Sequence, residues 1–264
     1  MILDGFLTFS AFIPSDFHRL QCLMLTIIST HLPQDASTNV QMFWRWLHIT
    51  AAILWIGLLY YFNLVNTPFL RELDPGIRSR IFGPLMLRAM NWFRWSSLLT
   101  VLAGIAYWGE IVHTDAKNAG AKEGTLWGSW FLIWIVAWVI FYLCLRFIKN
   151  GWAVGALGTI AVIVACIVFL KLNAHGWESN RTLSIGLGGG IGFFLMLNVW
   201  GIIWRVNKRL IRWTEDFVKN GTPMPAQAAE FARQSMITSR CGFVLTLPVI
   251  FFMAAASHYP MFGA

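Results

Sequence analysis

Two histidines lie inside long apolar segments of this chain, where an imidazole ring has few polar partners. They are His48, in WRWLHITAAILWIGLLYYFN, and His258, in FFMAAASHYP. Ionisable side chains inside membrane-spanning segments are functional candidates, because burying them without a partner is costly. Imidazole nitrogen is also a common ligand of iron and copper. His48 and His258 are therefore candidate metal ligands.

The neighbours of the two histidines leave room for a flat cofactor. One helical turn deeper than each histidine lies a pair of alanines: Ala51, Ala52, Ala254 and Ala255. Small side chains at these positions would leave a slot in which a flat ring can lie against the backbone. If the first segment runs inward and the last runs outward, both slots lie at a similar depth in the membrane.

Two further side chains on the face of His48 suit a haem. Trp55 follows His48 by seven residues and would form the floor of the slot, and Arg45 precedes it by three. A haem needs axial nitrogens, a flat apolar wall and cations near its propionates. The sequence thus predicts a haem b held by His48 and His258, with Arg45 at a propionate and Trp55 against the ring. Copper is the alternative metal.

The same residues also allow two other interpretations. A histidine near a helix end can form a structural hydrogen bond to a neighbouring carbonyl group, or it can bind a substrate. The residue spacing does not distinguish these possibilities from a haem or metal site.

The elements that position these residues are expected to be membrane-spanning helices. The chain is 57% hydrophobic and 12% charged, and its long apolar runs alternate with short charged ones. Six runs have the length that a bilayer requires. They are residues 41–66, 92–113, 127–148, 152–171, 182–204 and 241–259. The predicted fold is an all-α bundle of six transmembrane helices, with residues 41–264 as its domain.

The distribution of lysine and arginine predicts the orientation of this bundle. Fourteen of them fall on the side that holds the loops after the first, third and fifth spans, and six on the other side. Because the richer side normally faces the cytoplasm, both termini are predicted to face the periplasm. The net charge of +8 is explained in the same way, so it does not indicate a nucleic-acid partner.

Two parts of the chain carry weaker signals. Residues 1–40 are apolar but interrupted by charges, and we interpret them as an N-terminal extension that is interfacial or re-entrant. The four cysteines stand singly, with no CxxCH motif, so a covalently attached c-type haem is not expected within this chain.

Three stretches together resemble the membrane domain of PuuD-type urate hydroxylases, also called the urate oxidase N-terminal domain. They are HITAAILWIGLLYYFNLVNTPF (residues 48–69), MLNVWGIIWRVNKR (196–209) and SRCGFVLTLPVIFFMAAASHYP (239–260). The chain differs from the family pattern at residues 204–208, which read WRVNK where a proline-containing stretch is expected. It also reaches Ala264 without the cytochrome c domain that often follows in the family.

The resemblance implies a function in a bacterial inner membrane. Family members are linked to oxidation of urate to 5-hydroxyisourate, with electrons passed to a cytochrome. For this chain it implies oxidation of urate or a similar small substrate through a haem in the outer leaflet, with a separate periplasmic c-type cytochrome as acceptor. The alternative is a non-catalytic accessory subunit of a larger membrane complex, with structural histidines. Transport is less favoured, because ionisable residues become rare towards the cytoplasmic side of the spans.

A reporter fused after Ala264 tests the predicted orientation. Because the basic residues favour an outward carboxyl terminus, a reporter that works only in the periplasm should be active there. Activity of a cytoplasm-only reporter at the same position would contradict the orientation.

Overall fold

The computed structural model describes residues 19–23 and 35–262, and the account below refers to these residues. The chain divides into two compact units, Met1–Phe43 and Trp44–Ala264. The predicted extension, residues 1–40, falls within the first unit, most of which lies outside the described residues. The second unit holds the helical bundle.

Six long helices make up the described chain, and each is long and apolar enough to span a membrane. The helices are α1 (Ala36–Glu72), α2 (Pro75–Ala119), α3 (Gly124–Phe147), α4 (Gly151–Asn173), α5 (Asn180–Asn220) and α6 (Ala228–His258). Residues 19–23 and 35–262 contain no β-strand. The prediction of an all-α bundle with six membrane-spanning helices is therefore confirmed.

Each helix contains one predicted span to within a residue, but several helices are longer than the spans. For example, α2 begins at Pro75 and α6 at Ala228, well before their apolar cores. Charged residues end an apolar run without ending a helix. The spans predicted from hydropathy therefore cover only the apolar part of each helix. The breaks fall at capping residues: Asp74 caps α2, while Gly120 and Gly221 adopt positive φ after α2 and α5.

Two helices each contain one π-helical turn. It occupies Tyr61–Asn66 in α1 and Val199–Ile203 in α5. A π turn inserts an extra residue into the helix and changes which side chains face a neighbour, and such turns are frequent at functional sites.

Helix α5 is the centre of the bundle. In its most apolar window 72% of residues are buried, against 22–44% in the other five helices. It contacts α2, α3, α4 and α6, so its side chains meet other helices rather than lipid.

The glycine-rich run of residues 186–192 explains how neighbours approach α5 so closely. A Cβ at Gly186 would lie 2.6 Å from Phe169 of α4, and one at Gly188 would lie 2.9 Å from Phe252 of α6. At Gly190 a Cβ would overlap the indole of Trp134 on α3. The run is helical and works as a packing surface, because small residues allow close helix contact in membranes.

Two tryptophans form hydrogen bonds to the backbone of α5. Trp108 Nε1 donates to the Thr182 carbonyl at 3.0 Å, and Trp130 Nε1 donates to the Gly186 carbonyl at 2.8 Å. Their partner carbonyls lie near the start of α5, where small side chains leave the backbone accessible.

Two asparagines inside the helices differ in their polar contacts. Asn63 of α1 donates to Ser239 Oγ of α6 at 2.9 Å and so links two helices. Asn198 of α5 makes no such link, because both of its side-chain amide atoms are buried without a partner in the described part of the chain.

The glycine surface of α5 gives a stability prediction. Gly190→Ala should lower the thermal unfolding temperature in detergent, because Trp134 must move from a closely packed position, at a typical overpacking cost of about 1–3 kcal/mol.

Gly192→Ala on the same helix is the matched control. Among the described residues, no atom outside the nearby backbone of α5 lies within 4 Å of its added Cβ. The higher helix propensity of alanine should therefore leave this variant as stable as wild type or slightly more stable. Equal unfolding temperatures for the two variants would contradict this account of α5.

Candidate functional site

His48 is bonded to the backbone of a neighbouring helix. Its Nδ1 lies 2.7 Å from the carbonyl oxygen of Thr100 on α2. Since a carbonyl only accepts, Nδ1 must carry the proton, and Nε2 of the neutral ring then keeps its lone pair. Nε2 has no hydrogen-bond partner among residues 19–23 and 35–262. The structure therefore contains the expected carbonyl bond and still leaves one imidazole nitrogen available as a ligand.

Gly104 is what allows His48 to reach α2. It follows Thr100 by one helical turn, and a Cβ at this position would lie 2.7 Å from His48 Nδ1 and 2.9 Å from Cε1. Any larger residue would push the ring away from the Thr100 carbonyl.

His48 borders a cavity of about 550 Å³, a volume typical of ligand pockets. We call this the histidine cavity. Its walls come from α1, α2, α3, α5 and α6 and are mainly apolar, with many small residues. The small residues are Ala52, Gly57, Gly104, Gly188, Gly189, Gly192, Ala254 and Ala256.

Three of the four predicted site residues line this cavity together. Arg45 is exposed, His48 is partly buried and Trp55 is 5% exposed. Trp55 Nε1 is buried and has no hydrogen-bond partner in the described chain. The predicted slot also exists in part, since Ala52 of α1 and Ala254 of α6 both line the cavity.

His258 is placed differently. It is the last residue of α6, it is exposed, and it does not line the histidine cavity, although its neighbour Ser257 does. Helices α1 and α6 do contact each other, since Tyr60 Oη lies 3.0 Å from Thr246 Oγ1. The axial pair of His48 and His258 therefore remains a prediction.

The other described histidines lie away from the cavity. His113 is exposed and lies 3.4 Å from Glu123, and His175 is exposed. His18 and His31 fall outside the described residues. Within residues 19–23 and 35–262, no group of three or more His, Cys, Asp and Glu side chains is arranged to hold a metal.

Sequence reasoning missed Thr100, Gly104, Tyr107 and Arg181. Tyr107 lines the cavity, and Arg181 of α5 donates to its hydroxyl group and lies 5.4 Å from its ring centre. Arg181 had been counted only as a loop charge. A glycine inside the second span, in TVLAGIAYW, was the available signal for close approach of another helix.

Comparison with known proteins identifies one family. The family model described as urate oxidase N-terminal matches residues 78–264. The match includes His258 and two of the three stretches that carried the resemblance, while Arg45, His48 and Trp55 precede it. No match was found among curated proteins or among solved structures.

The contact of His48 with α2 gives a spectroscopic prediction. In Gly104→Ala the added Cβ should displace the ring, so the hydrogen-bonded Nδ1–H signal of His48 should disappear from the ¹⁵N NMR spectrum of histidine-labelled protein. The signal that is missing from the spectrum of His48→Gln belongs to His48, so this variant provides the assignment.

Gly109→Ala, also on α2, is the control, because its Cβ would meet Trp127 at an ordinary 3.5 Å. If Gly104→Ala keeps the wild-type signal, the bond to Thr100 does not set the position of His48.

Proposed function

Because the chain belongs to the urate oxidase N-terminal family, we propose that it is a membrane redox protein that oxidises urate or a similar small substrate. In this proposal, electrons pass through a haem b in the histidine cavity to a periplasmic c-type cytochrome. The main supporting observation is His48, whose Nδ1 is fixed by the Thr100 carbonyl while its Nε2 has no hydrogen-bond partner among the described residues.

The residues of the histidine cavity fit a haem. His48 Nε2 would supply a nitrogen ligand to the iron, and the small residues of α1, α2, α5 and α6 would leave room for the ring between apolar walls. Arg45 provides a cation at the wall for a propionate. A bound haem would accept and release single electrons. Haem brings four nitrogens of its own, whereas copper would need several protein ligands, so the lone His48 favours haem over copper.

The residues around His48 would prepare the site for such a cofactor. The bond from Nδ1 to the Thr100 carbonyl fixes the ring orientation and makes Nε2 a better donor, as in other histidine metal sites. The apolar walls keep water away from the ring. Trp55 Nε1 offers an unused donor to a polar group of the substrate or cofactor.

The proposed location follows from the orientation argued above. In a bacterial inner membrane with the basic side in the cytoplasm, His48 lies in the outer leaflet, near a periplasmic electron acceptor. Interfacial Arg45 would lie on that same side.

Two observations favour the alternative of a non-catalytic accessory subunit. The bond of His48 to Thr100 is by itself sufficient for a structural role, and His258 does not line the cavity. The two functions differ in whether the purified protein contains a cofactor.

An optical spectrum of the purified protein, oxidised and then reduced with dithionite, tests the proposal. We expect the sharp reduced bands of a b-type haem, and their loss in His48→Ala because the axial nitrogen is removed. Urate should re-reduce the oxidised haem.

Three further variants complete this test. His113→Ala should keep the spectrum, because His113 is exposed and does not line the cavity. Arg45→Ala should keep the haem but shift its reduction potential. If His258→Ala loses the bands as His48→Ala does, the axial pair is supported. If it keeps them, the pair is wrong. A featureless wild-type spectrum would support the accessory subunit.

A further inference from the structure

A second cavity lies at the opposite end of the bundle from His48. It has a volume of about 630 Å³ and lies between α1, α2, α5 and α6. No residue lines both cavities. Along α1, Asn66 of this cavity follows His48 by eighteen residues, which is roughly 27 Å of helix at 1.5 Å per residue. We call it the arginine cavity, after Arg71, Arg78 and Arg240 in its wall.

The charged residues that line the arginine cavity are all positive. Its lining residues include the three arginines and no aspartate or glutamate. Within the described chain none of the three arginines forms an ion pair, and Arg71 has only a 4.0 Å contact with Met236 Sδ. Such a concentration of one sign of charge in a concave site attracts an anion.

Asn66 is the side chain that most needs a ligand. It is 4% exposed and lines the cavity, its Nδ2 meets only the sulfur of Met86 at 3.6 Å, and its Oδ1 is buried without a partner in the described chain. Thioether sulfur is a weak acceptor. An unpartnered buried oxygen is costly, and a ligand N–H or O–H group would satisfy it.

The side-chain NH2 groups of the two neighbouring asparagines are hydrogen-bonded within the protein. Asn63 donates to the Leu59 carbonyl and to Ser239 Oγ, and Asn207 donates to the Ile203 carbonyl and to Ser235 Oγ. These serines accept those bonds, and their hydroxyl protons have no acceptor in the described residues. Ser235 and Ser239 also line the cavity, so two donors face the same space as the arginines.

Backbone irregularities lie in the wall of the same cavity. Asn66 ends the π turn of α1, and Ile203, which also lines the cavity, ends the π turn of α5. Phe62, Asn63 and Asn66 of the π turn in α1 all line the cavity. The unpartnered amide thus lies at a local departure from α-helix, and such turns are frequent at functional sites.

From these contacts we propose that the arginine cavity binds a small soluble organic anion that also carries an N–H or O–H donor. The arginines and serine hydroxyls hold the anionic group, and Asn66 Oδ1 accepts from the donor. The proposal does not depend on a haem or on urate oxidation, since it concerns a separate cavity.

Calorimetric titration of the full-length protein in neutral detergent tests this with three planar probes. Orotate has a carboxylate and ring N–H groups, benzoate has only the carboxylate, and uracil has only the N–H groups. Orotate should bind, and benzoate and uracil should each bind about ten-fold more weakly or not at all. Benzoate lacks the N–H group for Asn66 Oδ1 and uracil lacks the anion for the arginines, and each loss removes a contact worth about a factor of ten. Equal binding of all three, or no binding of orotate, would overturn the proposal.

Variants locate the binding. Asn66→Leu should weaken orotate about ten-fold and leave benzoate unchanged, because only the acceptor is lost. Its unfolding temperature should not fall, because the variant removes a buried oxygen that has no partner in the described chain. If Asn66→Leu does unfold, Arg240→Gln provides the second test, and it should weaken orotate and benzoate alike.

Two controls separate this site from its neighbours. Arg88→Gln removes an exposed arginine of α2 that does not line the cavity, and it should bind orotate like wild type. His48→Ala should also keep orotate binding, whatever happens to its optical spectrum. Loss of binding in either control would overturn the assignment to this cavity.

A lipid headgroup also combines an anion with hydroxyl donors. Binding of orotate in nanodiscs of two lipid compositions distinguishes a soluble anion from a lipid headgroup as the occupant. Orotate should bind equally in phosphatidylcholine and in phosphatidylglycerol nanodiscs if the ligand is a soluble anion. If phosphatidylglycerol abolishes binding, a lipid headgroup is the occupant and the soluble anion is ruled out.

Discussion

Close approach of other helices to α5 is the constraint on which the bundle depends. Lipid is as apolar as the helix surfaces, so burial of apolar area does not drive helices together in a membrane, and packing at short range must do so. Three glycines of α5 allow this close packing: Gly186 for α4, Gly188 for α6 and Gly190 for α3. The same lack of side chains exposes the Gly186 carbonyl to Trp130. Both cavities are bordered by helices held in this way.

The bond between His48 and Thr100 changes how the sequence alternatives relate to each other. A structural hydrogen bond and a ligand role had been competing interpretations of His48. The imidazole has two nitrogens, and the carbonyl uses only Nδ1, so both roles are compatible in one ring. Gly104 makes this arrangement possible, because only a residue without Cβ lets the ring approach α2.

The two cavities divide the chemistry of the molecule between its ends. The histidine cavity is mainly apolar and is lined by His48 and Arg45, and it is where we propose a haem. The arginine cavity is polar and positive, with amides, hydroxyls and three arginines. In the sequence, ionisable residues become rarer towards the predicted cytoplasmic side of the spans. The polar character of the arginine cavity instead comes partly from Asn66 and Asn207, which lie on helices far apart in the chain and which folding places at one cavity.

The sequence by itself determined the class of the fold and the positions of the six helices, because apolar length, turn residues and glycine runs are local properties of the chain. It also indicated that Arg45, His48 and Trp55 share one side of a helix, and the three line one cavity. Only the tertiary structure decided that Thr100 is the partner of His48 and that His258 does not line the cavity. The same holds for Asn66, whose Oδ1 has no hydrogen-bond donor among the described residues. Each of these depends on which helices are neighbours and at what depth, and no local pattern specifies that.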